Sequence, residues 1–538
     1  MNYIELFAGC GGLSLGLKSE GFNLILANEI SPMASETFAF NLLGEDIVSE
    51  SKNSKIFWLE SQYKRNDKLR LKEDYRELSK LPKKSIFSDI DELNDLNTLK
   101  GTLLIGGIQK LNKAIAKSKN LKEKISNSFG EGQIDLVSGG PPCQSFSMAG
   151  LREHHSDKNK LPWEFEEFVR RVRPKMVLLE NVSGILRPFD VDGKPHYAWF
   201  EVAKAFATKG CDYVPLCLHI NAKNVGAAQN RPRYIMLCFE KKLAMKILAS
   251  KKIGDSGKKA FKQSLDFFKK IQKKERLEFD SSFCHDLNNN KLLYDEWPFN
   301  LFHRNPFDNG STNASAFDAI EDIKDPNVRG KESNYVKTIN RFSKYLDTLS
   351  TPSSKKLSNH QIRSNGLRVK ARFRFYQIIS NPKYKGIKLS LRNYLNDPDK
   401  YPLPEDAFKV ISNESFLNTD GQYSKFSNQS NFEFFLNSIK TKKRTQKALI
   451  ADRIASAALS IPDDACHYDN KQLRTLTVRE MARFQSFPDA FEFRSKVTTG
   501  GNMRQYETPQ YTQVANAVPP LLAKTLGKIC KEFLGSNS

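Results

Sequence analysis

The residues with the clearest chemical potential are a cysteine and a glutamate that follow two separate apolar runs. Cys143 stands in Gly139-Gly140-Pro141-Pro142-Cys143-Gln144-Ser145, directly after the run 134–138. Most lone cysteines are packed and inert, but two prolines fix the chain direction here and put the sulfur at the end of a strand, not on its face. A thiol with an ordinary pKa of about 8.5 becomes a competent nucleophile once a helix N-terminus or a guanidinium raises its thiolate fraction. Glu180, in Glu180-Asn181-Val182 after the run 176–179, offers a carboxyl group. Partly desolvated, it could keep a proton on a ring nitrogen. Arg231 and Arg233, in Gln229-Asn230-Arg231-Pro232-Arg233, add two guanidiniums suited to a base carbonyl or a phosphate.

These groups need a scaffold that delivers strand ends to one place. The first thirty residues read as strand (3–7), glycine turn (Gly9, Gly11, Gly12), helix (13–18) and second strand ending at Glu29. Such alternation opens a parallel doubly wound sheet, whose ligands bind outside the carboxyl ends of the strands. Further strands are expected over 85–90, ending in Asp89, and over 134–138, 176–179 and 234–239. The turn FAGCGG lets a nucleotide-like ligand approach the backbone, although glycine-rich turns also serve packing. Glu29 could accept both ribose hydroxyls, and Asp89 could accept from an adenine amine; each alone would pass as a cap or a surface charge.

The chain has 538 residues, 39% hydrophobic and 27% charged, with a mean hydropathy of −0.53, so it folds and has room for two or more domains. Lysine and arginine number 84 against 61 acidic residues, a formal +23. A polyanion such as nucleic acid is the expected partner. The start MNYIELFAGCGG has no basic n-region and reads as a strand, not a signal peptide; no run is long and apolar enough for a membrane span. The eight cysteines form no CxxC pair and no His-containing ligand cluster, so reduced thiols and no structural zinc are expected. Lysine-rich stretches at about 45–84 and 99–131 read as helical surface insertions. From 241 the strand–helix alternation is lost and basic residues outnumber acidic ones to about 470. That segment reads as a second domain. Within it HQIRSNGLRVKARFRFYQ (360–377) interleaves Arg363, Arg368, Lys370, Arg372 and Arg374 with aromatics, as a phosphate- and base-contacting surface does, and as an amphipathic strand or helix would. The last segment, 521–534, reads as an amphipathic helix.

Taken in order, ELFAGCGGLSLG (5–16), ANEISPMASETFAFN (27–41), SDI (88–90), GGPPCQSFSMAG (139–150), ENVSGIL (180–186), QNRPRYIML (229–237), RTLTVREMARFQSFPD (474–489) and QVANAVPPLLA (513–523) resemble the motifs of the DNA cytosine-5 methyltransferases. The resemblance covers roughly the first 240 and last 65 residues. It implies a Rossmann-like methyltransferase fold, α/β with a mostly parallel doubly wound sheet, plus a smaller target recognition domain. The expected division is a catalytic domain over 1–240 completed by 510–538, with target recognition over 241–509, the RTLTVREMARFQSFPD motif lying near the junction.

The resemblance also implies roles. S-adenosyl-L-methionine would lie against Phe7, the glycine turn, Glu29, Ile30, Asp89, Ile90, Pro142, Leu161, Asn516 and Val518. Cys143 would attack C6 of a flipped-out cytosine while Glu180 protonates or hydrogen-bonds N3, Asn181 holds the loop, and Arg233 with Arg231 contacts O2 or the nucleophile loop. Gln144, Ser145 and Gln229 would face the nucleic acid. Ile30 stands where many relatives carry an aromatic residue, Asn159-Lys160 replaces their Arg-Gly, and Ala515-Asn516 replaces Gly-Asn. The expected partner is double-stranded DNA, with a cognate restriction endonuclease acting separately. The expected setting is a monomer in the cytoplasm of a bacterium or an infected host, associated with the nucleoid through DNA. Three rivals share features. The transfer-RNA branch of the family is compact, whereas an insertion over 241–470 suits duplex reading. A catalytically dead DNA-binding relative would not need Cys143, Glu180 and Arg233 intact. A dinucleotide oxidoreductase would use the glycine turn but not Pro-Pro-Cys.

Overall fold

The computed structural model describes all residues except 49–54, 65–66, 74–85, 96–100, 143–159, 192, 276, 304–312, 326–327, 348–356, 458–464 and 536–538. Its centre is a nine-stranded sheet. We number the first six strands β1 (Asn2–Leu6), β2 (Asn23–Glu29), β3 (Ile56–Trp58), β4 (Thr102–Ile105), β5 (Leu136–Gly139) and β6 (Met176–Val182). The order across the sheet is Cys284–Asp286, Tyr213–Asn221, Pro232–Glu240, β6, β5, β1, β2, β4, β3. Every neighbouring pair is parallel except those made by Pro232–Glu240, which runs antiparallel to both β6 and Tyr213–Asn221. β1, β2, β5 and β6 read as nearly unbroken apolar runs because the middle of a parallel sheet is covered on both faces.

From β1 the chain moves to β2 on one side, and β5 takes the other. The strand order therefore reverses between β1 and β5, where open α/β sheets leave a crevice at their carboxyl ends. Registers bring those ends level: Leu6 pairs with Asn28 and with Gly139, and Gly139 pairs with Leu179.

Two expectations about the strands are corrected. Of the strand expected over 85–90, the described residues give one isolated bridge, Phe87 to Ser61, and a helix begins at Ile90. The strand beside β2 is instead β4, inside the stretch expected to be helical; the helices Ile108–Lys117 and Lys119–Ser126 follow it. β3, at the sheet edge, comes from the other insertion. Its four-residue neighbour TLLI is too short to show a period, so only pairing identifies it as a strand.

The C-terminal helix Pro520–Leu534 lies along the first helix, Gly12–Ser19. A Cβ on Gly12 would meet Val518 O at 2.3 Å, and one on Gly16 would meet Ala523 Cβ at 2.2 Å, so glycine is what permits this approach. The far end of the chain is thereby brought to the β1 turn.

The main core also takes in much that composition had placed in the second domain. Phe261, Phe283, Phe299 and Ile339 belong to it, and Cys284–Asp286 extends the sheet. The separate smaller core runs from Ala371 to Cys466 and is built on the helices Leu367–Ile379, Lys388–Asn396 and Gln429–Ser438. Phe416 lies 5.5, 5.5 and 5.4 Å from Phe426, Phe432 and Phe435 at its centre. Seven cysteines, at 10, 211, 217, 238, 284, 466 and 530, are free thiols. No helix of the described residues is long and apolar enough to cross a membrane.

Candidate active site

The β1 turn is shaped by backbone conformations that ordinary residues avoid. Phe7 and Gly9 both have positive φ, 55° and 56°. For Phe7 this is uncommon and strained; its ring stacks on Phe165 with centroids 6.4 Å apart. A Cβ on Gly9 would touch nothing within 4 Å, so the turn has open space above it. Glu29, buried at the end of β2, accepts from Gly9 N at 2.8 Å and from Ser31 N at 2.7 Å. Two backbone amides thus orient this carboxylate beside the glycine turn. Ile30, Pro142 and Leu161 are half-buried, Val518 is buried next to Gly12, and Asn516 is exposed. A buried acid, an open glycine turn and apolar walls form a donor set that fits an adenosyl group: hydroxyls to the acid, and thioether or ring to the walls.

Asp89 and Ile90 are placed differently. Asp89 Oδ2 accepts from Trp58 N at 2.9 Å, next to the edge strand β3, while the residues that follow the strand beside β2 are Gly106, Gly107 and Ile108. Gly106 N donates to Glu29 O at 2.9 Å.

On the other side of the crevice Glu180 and Arg233 meet. Ile235 of the antiparallel strand pairs with Glu180, so Arg233, two residues earlier, sits diagonally across from it on the same face. Arg233 Nε is 2.7 Å from Glu180 Oε1, with side chains 8% and 10% exposed, so neither charge is left to water. Burial pushes the Arg233 guanidinium below its ordinary range, and Glu180 offsets this. Asn181 Nδ2 donates to Pro141 O at 2.9 Å, which ties the Gly-Gly-Pro-Pro turn to β6. A Cβ on Gly140 would lie 3.0 Å from Glu180 Oε2, so the turn and the carboxylate are nearly in contact. Cys143, Gln144 and Ser145, next in the sequence, lie outside the described residues.

Arg231 is committed to the C-terminal motif. Its Nη2 donates to Ala515 O and, at 3.1 Å, to Ala517 O, on either side of Asn516. Burial, and then Arg233, hold its guanidinium well below the usual range. Gln229, expected to face nucleic acid, is fully buried and donates to Gln485 Oε1 at 2.6 Å and Phe484 O at 2.9 Å. Gln485 donates in turn to Val514 O at 2.6 Å. No local pattern singles out Gln485, Gln513 or Glu5. Gln513 accepts from Thr37 Oγ1 at 2.6 Å and donates to Met33 O at 3.1 Å, binding the C-terminal motif to the helix after β2. Glu5 is buried under the β1 turn with Ser14 as its hydrogen-bond donor, and burial pushes its carboxyl up to about 8.

The basic run in the smaller core divides. Arg372 is buried and donates to Ile439 O at 2.7 Å and Lys440 O at 3.1 Å, so it closes the end of the helix Gln429–Ser438 and is not part of a contact surface. Arg374 reaches Ser415 O at 3.4 Å, Arg368 is exposed, and Arg363 and Lys370 are half-buried. Arg474 and Glu480, both buried, make a two-pronged pair at 2.8 and 2.7 Å inside a helix capping box.

The family model of C-5 cytosine-specific DNA methylases matches residues 1–69 and 108–532. Asp89 and Ile90 fall in the unmatched interval. The type II methyltransferase M.DdeI of Desulfomicrobium norvegicum is 28% identical over 250 residues, 46% of this chain and 43% of that protein. M.XorII of Xanthomonas oryzae pv. oryzae is 27% identical over 242 residues, 45% and 41% of the two chains. These two matches span less than half of either relative. M.Bpa9945I of Bacillus paralicheniformis is 23% identical over 553 aligned residues covering 100% of both chains. With the model matched across nearly the whole length and the glycine turn, acid and guanidinium gathered at the carboxyl ends of the central parallel strands, the chain belongs to the C-5 cytosine-specific DNA methylase family.

Proposed function

We propose that the chain transfers a methyl group from S-adenosyl-L-methionine to C5 of a cytosine turned out of duplex DNA. The observation that carries this reading is the buried Glu180–Arg233 pair set against Gly140, three positions before Cys143 in the sequence. A thiolate at Cys143 adds to C6 of the ring. Glu180 hydrogen-bonds or protonates N3, so the electron pair displaced from the C5–C6 double bond is held on the ring and C5 becomes nucleophilic. Arg233 keeps the Glu180 carboxyl in place and lies within reach of O2. S-adenosylmethionine, when bound, would supply the methyl group as an electrophile, its sulfonium leaving as the neutral thioether S-adenosyl-L-homocysteine. Phe7, the Gly9 turn, Glu29 and Val518 are the residues proposed to hold it. Loss of the C5 proton to a base and departure of the sulfur restore the aromatic ring and the free thiol. Extruding the cytosine costs about a few kcal/mol, which contacts from the rest of the protein must offset.

The segment of the smaller core, 367–466, is the proposed reader of the target site, with Arg363, Arg368, Lys370 and Arg374 as candidate DNA contacts. Protection of host DNA from a cognate endonuclease is the proposed role, supported by the type II methyltransferases among the relatives. Bisulfite sequencing of DNA from cells expressing the chain tests the reading and identifies the site. Protected cytosines in one sequence context are expected for the wild type and none for Cys143→Ser, which should still bind duplex. Undiminished conversion protection by Cys143→Ser would refute the mechanism.

A further inference from the structure

We propose that a cavity between the C-terminal helix and residues 338–345, apart from the crevice, binds a phosphate group. The cavity has a volume of about 330 Å³ and is walled by Arg341, Lys344, Phe342, Tyr345, Lys524 and Lys528, among others. That volume is at the lower end of the range for small-ligand sites. Its four cations come from two segments nearly two hundred residues apart. Arg341 and Lys344 lie on the short turn Arg341–Tyr345; Lys524 and Lys528 are one turn apart on Pro520–Leu534.

The aromatic rings keep these cations in place. Lys344 Nζ lies 4.9 Å from the Tyr345 ring centroid and Lys524 Nζ lies 5.8 Å from that of Phe342. Of the three lysines, Lys524 alone has a carboxylate within ion-pair distance among the described residues, Glu20 at 4.0 Å. Lys524 is half-buried, and its ammonium is held below the ordinary range by burial and by Lys528, Lys344 and Arg341, against the pull of Glu20. Three lysines that share one carboxylate, Glu20, repel one another beyond what it offsets, and a phosphate group, with up to two charges and several acceptor oxygens, answers their ammonium groups at once. The site is distinct from the crevice. Lys524 and Lys528 lie four and eight residues into the helix that begins at Pro520, two residues past Val518, about 6–12 Å along its axis.

Two sources carry this chemistry: the backbone of a nucleic acid, or a free phosphorylated molecule. The probe is inorganic pyrophosphate, titrated calorimetrically into the full chain at low salt. One saturable site is expected. Lys524→Gln/Lys528→Gln and Arg341→Gln/Lys344→Gln should each weaken it about tenfold or more, and Lys524→Arg should keep it. Unfolding midpoints of the variants are measured alongside, so that loss of fold is not mistaken for loss of the site. Displacement of the probe by duplex DNA would identify the backbone as the source; retention would identify a free ligand. No saturable binding by the wild type, or wild-type affinity in both folded double variants, would overturn the proposal.

Discussion

Replacing Gly140 by alanine isolates the contact between the turn and the carboxylate. The added methyl would sit 3.0 Å from Glu180 Oε2, a few tenths of an ångström inside ordinary contact. A flexible carboxylate would swing away at little cost, but Glu180 is held 2.7 Å from Arg233 in a buried pair. The turn is fixed from the other side by Asn181 Nδ2 on Pro141 O. Relief therefore lengthens a buried ion pair, at a fraction of the about 3–5 kcal/mol that losing one partner of such a pair costs, or displaces the Gly140–Pro141 turn. At about 1.4 kcal/mol per factor of ten, kcat should fall roughly ten- to a hundredfold. The assay is single-turnover transfer of a tritiated methyl group to a duplex carrying the site found by bisulfite sequencing. Cofactor affinity by calorimetry and duplex affinity should stay within about twofold, since Gly140 is across the crevice from Glu29. Combining Gly140→Ala with Arg233→Lys, which loosens the pin, should cost less than the sum of the two changes. A wild-type kcat in Gly140→Ala, or strict additivity in the double variant, would refute the argument.

Glu5→Gln should alter how stability depends on pH. Because burial raises the Glu5 carboxyl to about 8, its protonated form is favoured by folding; that contribution is complete below the ordinary value of 4.5 and is lost as pH rises through about 8. The glutamine variant, compared with wild type by denaturant midpoints, should therefore gain about a few kcal/mol relative to it between pH 5 and 8; parallel curves would contradict the assignment. Arg372→Ala should destabilise the protein by about 1–3 kcal/mol by leaving the Ile439 and Lys440 carbonyls without their donor. It should not change the slope of DNA affinity against salt, whereas Lys370→Gln and Arg368→Gln should each reduce that slope by about one if they contact phosphates. A reduced slope in folded Arg372→Ala would put that side chain back on the DNA surface.

Much of the candidate site was legible in the sequence because apolar runs there end at turn residues and acids that mark the strand ends. β1, β2, β5 and β6 end within a few residues of Phe7, Glu29, Gly140 and Glu180, as their flanking glycines and acids indicated. Position along the chain was a poorer guide wherever side-chain direction mattered. The run 367–379 alternates Ala371, Phe373 and Phe375 like a strand yet forms a helix buried on more than one side, and this turns Arg372 inward. Composition was a poor guide for a related reason: lysine-rich amphipathic helices such as Asp255–Gln272 look like a new basic domain, but their apolar stripes pack on the main core.

By itself the sequence determined the order of the motifs, the strand ends that bear them and the doubly wound class, because local periodicity and turn residues act over a few positions. Tertiary structure decided which residues meet. It brought Val518 to Gly12 and set Arg233 against Glu180 through an antiparallel strand. It inserted β4 beside β2 and so left Asp89 next to the outer strand, and it committed Gln229 and Arg231 to holding the C-terminal motif. Each of these depends on pairing and close packing between segments up to five hundred residues apart, where a glycine's missing side chain or a strand's register, and not any local pattern, selects the neighbour.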